Sequence, residues 1–207
     1  MARTEIKIGG FGGQGVILSG YIIGRAASIY DSMFATMTQA FGPEARGSAC
    51  SAQVIVSSDP IDYPYIVSPS IVVVMSQEAY SRFSPELTKG GILITEEELV
   101  TPHSLRKDVK HFSIPATRIA EELGKKIVLN IVMMGFMTAV TQPRADQPAA
   151  EKLLDPEAMR KAVTASVPKG TEELNLRAFE EGYKYGVRVI DPEASPRFPT
   201  ETVDHLA

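Results

Sequence analysis

A cluster of glycines set between two different hydrophobic periods constrains this chain more than any other feature. Thr4-Glu-Ile-Lys-Ile-Gly9 alternates polar and apolar, the period of a short strand. Val16 to Ser28 then carries Val16, Ile17, Leu18, Tyr21, Ile22 and Ile23 on one broad face, the period of a helix packed on a sheet. Between them Gly10-Phe-Gly12-Gly13-Gln14-Gly15 satisfies the G-x-G-x-x-G pattern in the strand-to-helix context that gives the pattern a mechanism. A helix beginning near Gln14 would aim backbone N–H groups and the positive end of its dipole at an anion. The same glycines also suit a tight turn that only permits close packing, and both readings stand on sequence. A dinucleotide site further requires an acid at the end of the second strand to hold the ribose hydroxyls. Met37-Thr38-Gln39 supplies none, which argues against ordinary NAD binding.

The rest of the chain continues the α/β theme. Strands are expected at Ser32 to Thr38, Ala49 to Ser57, Ile92 to Thr95 and Val109 to Ser113. The β-branched run Ser70-Ile-Val-Val-Val-Met75 is the best candidate for a central strand buried on both faces. Helices are expected over Gln77 to Leu87, Pro115 to Leu123 and Ile127 to Val140. The last is so uniformly apolar that it belongs in a core or a subunit interface, with Asn130 satisfying a neighbouring backbone group. Asp155-Pro156-Glu157 combines an N-cap carboxylate, a proline at the first helical position and an acid in the first turn, and starts a helix through Val167. Another runs from Thr171 to about Tyr185. The reading is a single Rossmann-like α/β domain, residues 1–190, with a mostly parallel sheet flanked by helices, followed by an extended proline-rich C-terminal tail, residues 191–207.

The 207 residues are 44% hydrophobic, enough for one substantial core, and 21 basic residues against 25 acidic ones give a net charge of −4. With the basic residues outnumbered and unclustered, no nucleic-acid footprint is visible. The N-terminus lacks the apolar region of a signal peptide, and Ile127 to Val140 falls short of the roughly 20 residues that cross a bilayer, so a cytoplasmic protein is expected. Cys50 is the only cysteine; it cannot make an intrachain disulfide or by itself hold an iron–sulfur cluster or a thiolate zinc site, and reads as a small buried hydrophobe. His103, His111 and His205 form no recognisable triad and are assigned surface roles. The methionines at 133, 134 and 137 read as packing. Neither catalytic residues nor a metal site are predicted.

Gln39-Ala-Phe-Gly-Pro-Glu44-Ala-Arg46-Gly47-Ser48 should leave the second strand at its carboxyl end, beside the first glycine loop, where open α/β sheets build their sites. Arg46 could offer a guanidinium fork to phosphate or carboxylate, or could pair with Glu44 as a solvated turn residue. The candidate rim is therefore Gly10, Gly12, Gly13, Gln14 and Gly15 together with Arg46.

Taken together, Gly9-Gly-Phe-Gly-Gly-Gln-Gly-Val-Ile-Leu-Ser-Gly20 and Thr38-Gln-Ala-Phe-Gly-Pro-Glu-Ala-Arg-Gly47 resemble the γ subunit of 2-oxoacid:ferredoxin oxidoreductases. Cys-Ser-Ala-Gln-Val-Ile-Val56, Pro85 to Ile94, Ile114 to Ala120 and Asn130 to Phe136 extend the likeness over about Glu5 to Tyr185. The resemblance implies a non-catalytic subunit of a complex that oxidatively decarboxylates a 2-oxoacid with CoA to acyl-CoA, CO2 and reduced ferredoxin. It places thiamine diphosphate and Mg2+ between partner α and β subunits and [4Fe-4S] clusters on cysteine-rich partner subunits, with a ferredoxin-like δ subunit as a further possible partner. It favours 2-oxoglutarate, leaving pyruvate, branched-chain, aryl-glyoxylate and indolepyruvate relatives open. On it the glycine loop and Arg46 form a CoA-side or partner-facing rim. The rivals are an independent nucleotide-binding protein using the same loop and a structural spacer with an empty glycine turn.

Overall fold

The computed structural model describes residues 3–41, 49–143 and 153–193. The predicted strand–turn–helix opening is present as β1 (Thr4–Phe11) and α1 (Val16–Arg25), which passes into a π-helical turn, Ala26–Tyr30. There follow β2 (Phe34–Ala40), β3 (Ala49–Ser57), β4 (Ile71–Val74), α2 (Gln77–Phe83), β5 (Ile92–Glu96) and β6 (Lys110–Ile114). The C-terminal half is helical: α3 (Ala116–Glu122), α4 (Leu129–Val140), α5 (Pro156–Ser166) and α6 (Glu172–Ile190). Helix α6 outruns its expected end by five residues, and Gly186 is a packing position inside it, where a Cβ would stand 2.6 Å from that of Ala139. Among the described residues, no helix is long and apolar enough to cross a membrane.

The strands form one sheet in the order β2-β3-β1-β4-β5-β6. Pairings β1–β4, β4–β5 and β5–β6 are parallel, whereas β3 runs antiparallel to both β1 and β2. Five strands therefore point one way and β3 alone points back, so the sheet is mostly parallel, as expected. Strand β4 is central and buried along its whole length, consistent with its unbroken run of β-branched residues. The insertion of β3 departs from a dinucleotide fold. The position beside β1 where a ribose-binding acid would sit is taken by the start of an antiparallel strand, and the end of β2 lies one strand further out.

Both faces of the sheet are covered, unequally. One face packs Ile6, Ile8, Val54, Val56 and Val73 against α1, α4 and α5, while the other packs Val72, Val74 and Leu93 against Ala79, Tyr80 and Phe83 of α2. Helix α4 explains its own composition, since all twelve of its residues are buried within this chain. Its alternatives, core or subunit interface, are thus resolved in favour of the core. It lies backbone to backbone on α6. A Cβ built on Gly135 would stand 2.0 Å from the Phe179 carbonyl oxygen, and one on Gly182 would stand 2.0 Å from that of Val132. No side chain larger than hydrogen fits either position without separating the helices. The start of α5 is as read from sequence, with the Asp155 carboxylate accepting from the backbone N–H of Glu157 at 2.9 Å and of Ala158 at 3.3 Å.

Overpacking a filled core typically costs about 1–3 kcal/mol, and here backbone must move. Gly135→Ala and Gly182→Ala should each lower the thermal midpoint by at least about 5 °C in a domain of this size. The exposed Gly170→Asn, at a left-handed turn that asparagine tolerates, should stay within about 2 °C of wild type, all read by circular dichroism.

Candidate functional site

The candidate site starts at the carboxyl end of β1. Gly10 ends the buried part of the strand; a Cβ there would meet Gln14 Oε1 at 2.7 Å and Val16 Cγ2 at 3.0 Å. The chain then turns over Gly12 and Gly13, and Gly13 (φ 92°) and Gly15 (φ 72°) hold left-handed backbone that other residues adopt at a cost. Gly15 is the N-cap of α1 and leaves its first turn without a side-chain cap.

Gln14 closes this turn from within. Its Oε1 accepts the Phe11 N–H at 2.6 Å, and its Nε2 donates to the Met75 carbonyl, at the end of β4, at 2.8 Å. The Phe11 N–H, one of the donors a phosphate would call on, is therefore already used. Behind the turn the Gly15 carbonyl accepts from the Ser19 N–H at 2.9 Å, from Ser19 Oγ at 3.0 Å and from Asn130 Nδ2 at 3.3 Å. Asn130 is 2% exposed, and a Cβ on Gly15 would lie 2.4 Å from its amide nitrogen. The expectation that Asn130 serves a neighbouring backbone group holds, and the group it serves is the glycine loop.

The glycines thus divide by cause. Packing requires Gly10, dihedral angle requires Gly13, and both require Gly15. Gly12 has neither reason: its φ is not positive, and a Cβ there would meet nothing within 4 Å. The fold accounts for the other loop glycines and leaves Gly12 open to the outside.

Strand register brings the two ends of the second predicted element, Ala40 and Ala49, to the same rim. Ser51 of β3 lies opposite both Gly9 of β1 and Ala40 of β2, so β2 ends and β3 begins at the level of the glycine loop. The chain leaves the rim at Phe41, whose ring is exposed, and re-enters at Ala49. Arg46, between them, lies outside the described residues, as do Gly42 to Ser48 as a whole and His205. Cys50 sits directly across from Gly10 and is 7% exposed; burial raises its thiol pKa, which favours the inert protonated form.

Two groups differ from their expected roles. His111 is half-buried on β6 and shares a 3.0 Å hydrogen bond with Thr95 Oγ1, and burial lowers its pKa below the usual histidine range, so it is not a simple surface residue. The His103 backbone is likewise tied in, its carbonyl accepting the Tyr80 hydroxyl. Sequence reasoning also missed Glu96, fully buried at the end of β5. Its carboxylate accepts from the backbone N–H of Glu98 (2.8 Å), Leu99 (2.6 Å) and Thr117 (2.9 Å), joining the strand end to the first turn of α3. Nothing in Glu96-Glu97-Glu98 marks one acid as internal, because a run of three reads as a solvated turn. Among the described residues, no three His, Cys, Asp or Glu side chains converge as metal ligands.

A six-stranded α/β domain with a glycine turn at the end of its first strand, and an antiparallel strand interrupting the parallel order, defines the structural class. Residues 5–185 match the family model of Pyruvate ferredoxin/flavodoxin oxidoreductase, and the chain belongs to that family. The chain is 46% identical over 184 residues to the 2-oxoglutarate synthase subunit KorC of Methanocaldococcus jannaschii, covering 88% of this chain and 93% of that one. It is 45% identical over 186 residues to the KorC subunit of Methanothermobacter thermautotrophicus, covering 87% and 93%. Among solved structures, the γ subunit of a keto/oxoacid ferredoxin oxidoreductase from Geobacter sulfurreducens superposes with a TM-score of 0.77 at 34% identity, covering 92% of this chain and 99% of that one.

Because left-handed backbone and the Asn130 contact coincide at Gly15, Gly15→Ala should destabilise the domain, by about 2 kcal/mol or more in urea unfolding. Gly12→Ala should unfold within about 0.5 kcal/mol of wild type. Equal losses at the two positions would contradict the division of the glycines by cause.

Proposed function

We propose that this chain is the γ subunit of a 2-oxoglutarate:ferredoxin oxidoreductase. The observation that carries the reading is its match, over nearly the full length of both chains, to KorC subunits of 2-oxoglutarate synthases. The complex takes a 2-oxoacid and CoA, releases CO2, forms the acyl-CoA and passes two electrons to ferredoxin in the cytoplasm. Thiamine diphosphate with Mg2+ supplies the decarboxylation chemistry and [4Fe-4S] clusters the electron path. The residues of this chain do not fit those groups, since its one cysteine is buried in the sheet and no ligand cluster occurs among the described residues. Both are therefore assigned to partner subunits, thiamine diphosphate with Mg2+ between α and β and the clusters on cysteine-rich chains, with a δ subunit of ferredoxin type as a further partner. The domain that performs the γ role is residues 1–190, with residues 191–207 as its tail.

Within that complex we assign the glycine rim, Gly10, Gly12, Gly13, Gln14 and Gly15 with Arg46, to the side that CoA or a partner subunit approaches. Gly12 supports this, being the loop glycine that the fold itself does not require. Gln14 supports it in a different way, since by tying Phe11 to Met75 it holds the loop rigid before anything arrives. An independent dinucleotide-binding enzyme is disfavoured by β3, which takes the strand position beside β1 that the ribose-binding acid of such a fold would need.

Tagging the chain in its host, purifying without oxygen and identifying co-purifying polypeptides by mass spectrometry tests the assignment. Fixed stoichiometry with a thiamine-diphosphate-binding chain and a cluster-bearing chain is expected, with highest activity on 2-oxoglutarate among a panel of 2-oxoacids. A solitary nucleotide-binding monomer would overturn it. In the intact complex, Arg46→Ala or Gly12→Val should raise the apparent KM for CoA about tenfold or release the subunit; unchanged kinetics and mass would remove the rim from function.

A further inference from the structure

Eight arginines fall among the described residues, and five are engaged within the chain. Arg3 binds Glu5 and the Tyr65 carbonyl, Arg25 the Ala165 carbonyl, Arg106 two carbonyls and Asp108, and Arg160 both Glu157 and Glu180, while Arg82 stacks over Phe83. The remaining three are Arg118, Arg177 and Arg188. None makes a hydrogen bond or ion pair to a described residue, and all three line one cleft of about 430 Å3 between α3 and α6. Arginine is the side chain best suited to fork-like pairing with a carboxylate, and here three forks with neither a hydrogen bond, an ion pair nor a ring contact to a described residue face the same space.

The charge of the cleft is net positive on a chain whose net charge is −4. Two acids also line it, but Glu181 is held by Lys184 at 2.9 Å, which leaves Glu122 as the counterweight to three guanidinium groups. Along α6 the lining residues Arg177, Glu181, Tyr185 and Arg188 follow one face, at intervals of four, four and three. At 1.5 Å per residue, Arg177 and Arg188 stand about 16 Å apart along the axis. One phosphate or one carboxylate cannot reach both. An extended segment of about five residues, at about 3.3 Å each, can.

Resting on the reading of this chain as a subunit, we infer that the α3–α6 cleft docks an acidic polypeptide segment of a partner subunit, whose Asp and Glu carboxylates pair with Arg118, Arg177 and Arg188. Arginine-rich, open and polar lining matches protein interfaces rather than the mostly apolar pockets of small ligands. The cleft also lies away from the glycine rim: α3 follows β6, at the opposite edge of the sheet from β2. The subunit would thus be held at one edge and leave its glycine loop free to face CoA.

The test is the intact complex, purified through a tag on this chain, with partner retention followed against increasing NaCl. Combining Arg118→Glu, Arg177→Glu and Arg188→Glu should weaken retention about 100-fold at equal salt and lower the salt concentration of half-release, while the exposed Lys169→Glu should change neither. A folded triple variant that keeps the wild-type salt profile overturns the inference while leaving the subunit reading intact. A wild-type chain that recovers no partner at any salt overturns the subunit reading, and the docking site with it. Should the triple variant fail to fold, zero-length carbodiimide cross-linking of the wild-type complex decides. Lys184, which pairs with Glu181 of the cleft wall, is expected to join an Asp or Glu of a partner besides Glu181 itself, and the absence of any Lys184 cross-link to a partner would refute the site.

Discussion

The contact on which the architecture rests is the backbone-to-backbone crossing of α4 and α6. Gly135 on one helix and Gly182 on the other each present a hydrogen where any Cβ would strike a carbonyl 2.0 Å away. That closeness buries α4 on every side, which is why its sequence has no polar face and why it resembles a membrane segment cut short. Once α4 is fixed, its first turn is fixed too, and there Asn130 reaches the Gly15 carbonyl and Ser19 Oγ. The helix crossing in the core and the shape of the glycine loop at the rim are parts of one rigid connection. A loop placed this way needs no ligand to organise it.

That rigidity gives meaning to the hydrogen bonds of Gln14. In a phosphate-cradling loop the backbone donors stay free for the ligand, yet here a glutamine side chain takes the Phe11 N–H and anchors the loop to the end of β4. The loop is a turn stapled from inside, with Gly12 exposed at its apex. Such a surface suits close approach by a large partner or by the extended arm of a cofactor better than envelopment of a pyrophosphate. The antiparallel β3 works in the same direction, because on its side of β1 it takes the place of the parallel strand whose carboxyl end carries the ribose-binding acid of dinucleotide folds.

Much of this was legible in the sequence because it depends on local rules. Strand alternation before Gly9, the Asp155-Pro156-Glu157 start and the β-branched run of β4 each appear as read, since each is set by a few adjacent residues. The resemblance over residues 5 to 185 rested on two loops at a fixed interval and coincides with the extent of the family match. What stayed hidden is non-local. Antiparallel β3 cannot be told from a parallel strand by composition, because its direction depends on the length and course of its connections. Glu96 looks like its neighbours Glu97 and Glu98 until three backbone N–H groups are found around it. Gly182 and Gly186 carry no sign in the sequence of the close packing that they make once α4 is laid against them.

The arginines follow the same logic. Arg118 lies on α3, and Arg177 and Arg188 lie on α6, so no window of sequence shows them together. Composition, with its acidic balance, argues against any basic surface. Only the packing of α3 beside α6 joins them, and they stand apart because four of the other described arginines are hydrogen-bonded or ion-paired and Arg82 stacks on Phe83. An uncompensated set of guanidinium groups on an acidic chain carries self-repulsion and side-chain entropy that the isolated subunit does not recover. A partner's carboxylates would supply that compensation on assembly. By this argument the isolated chain is electrostatically incomplete at one edge of its sheet, as a subunit built to be held there would be.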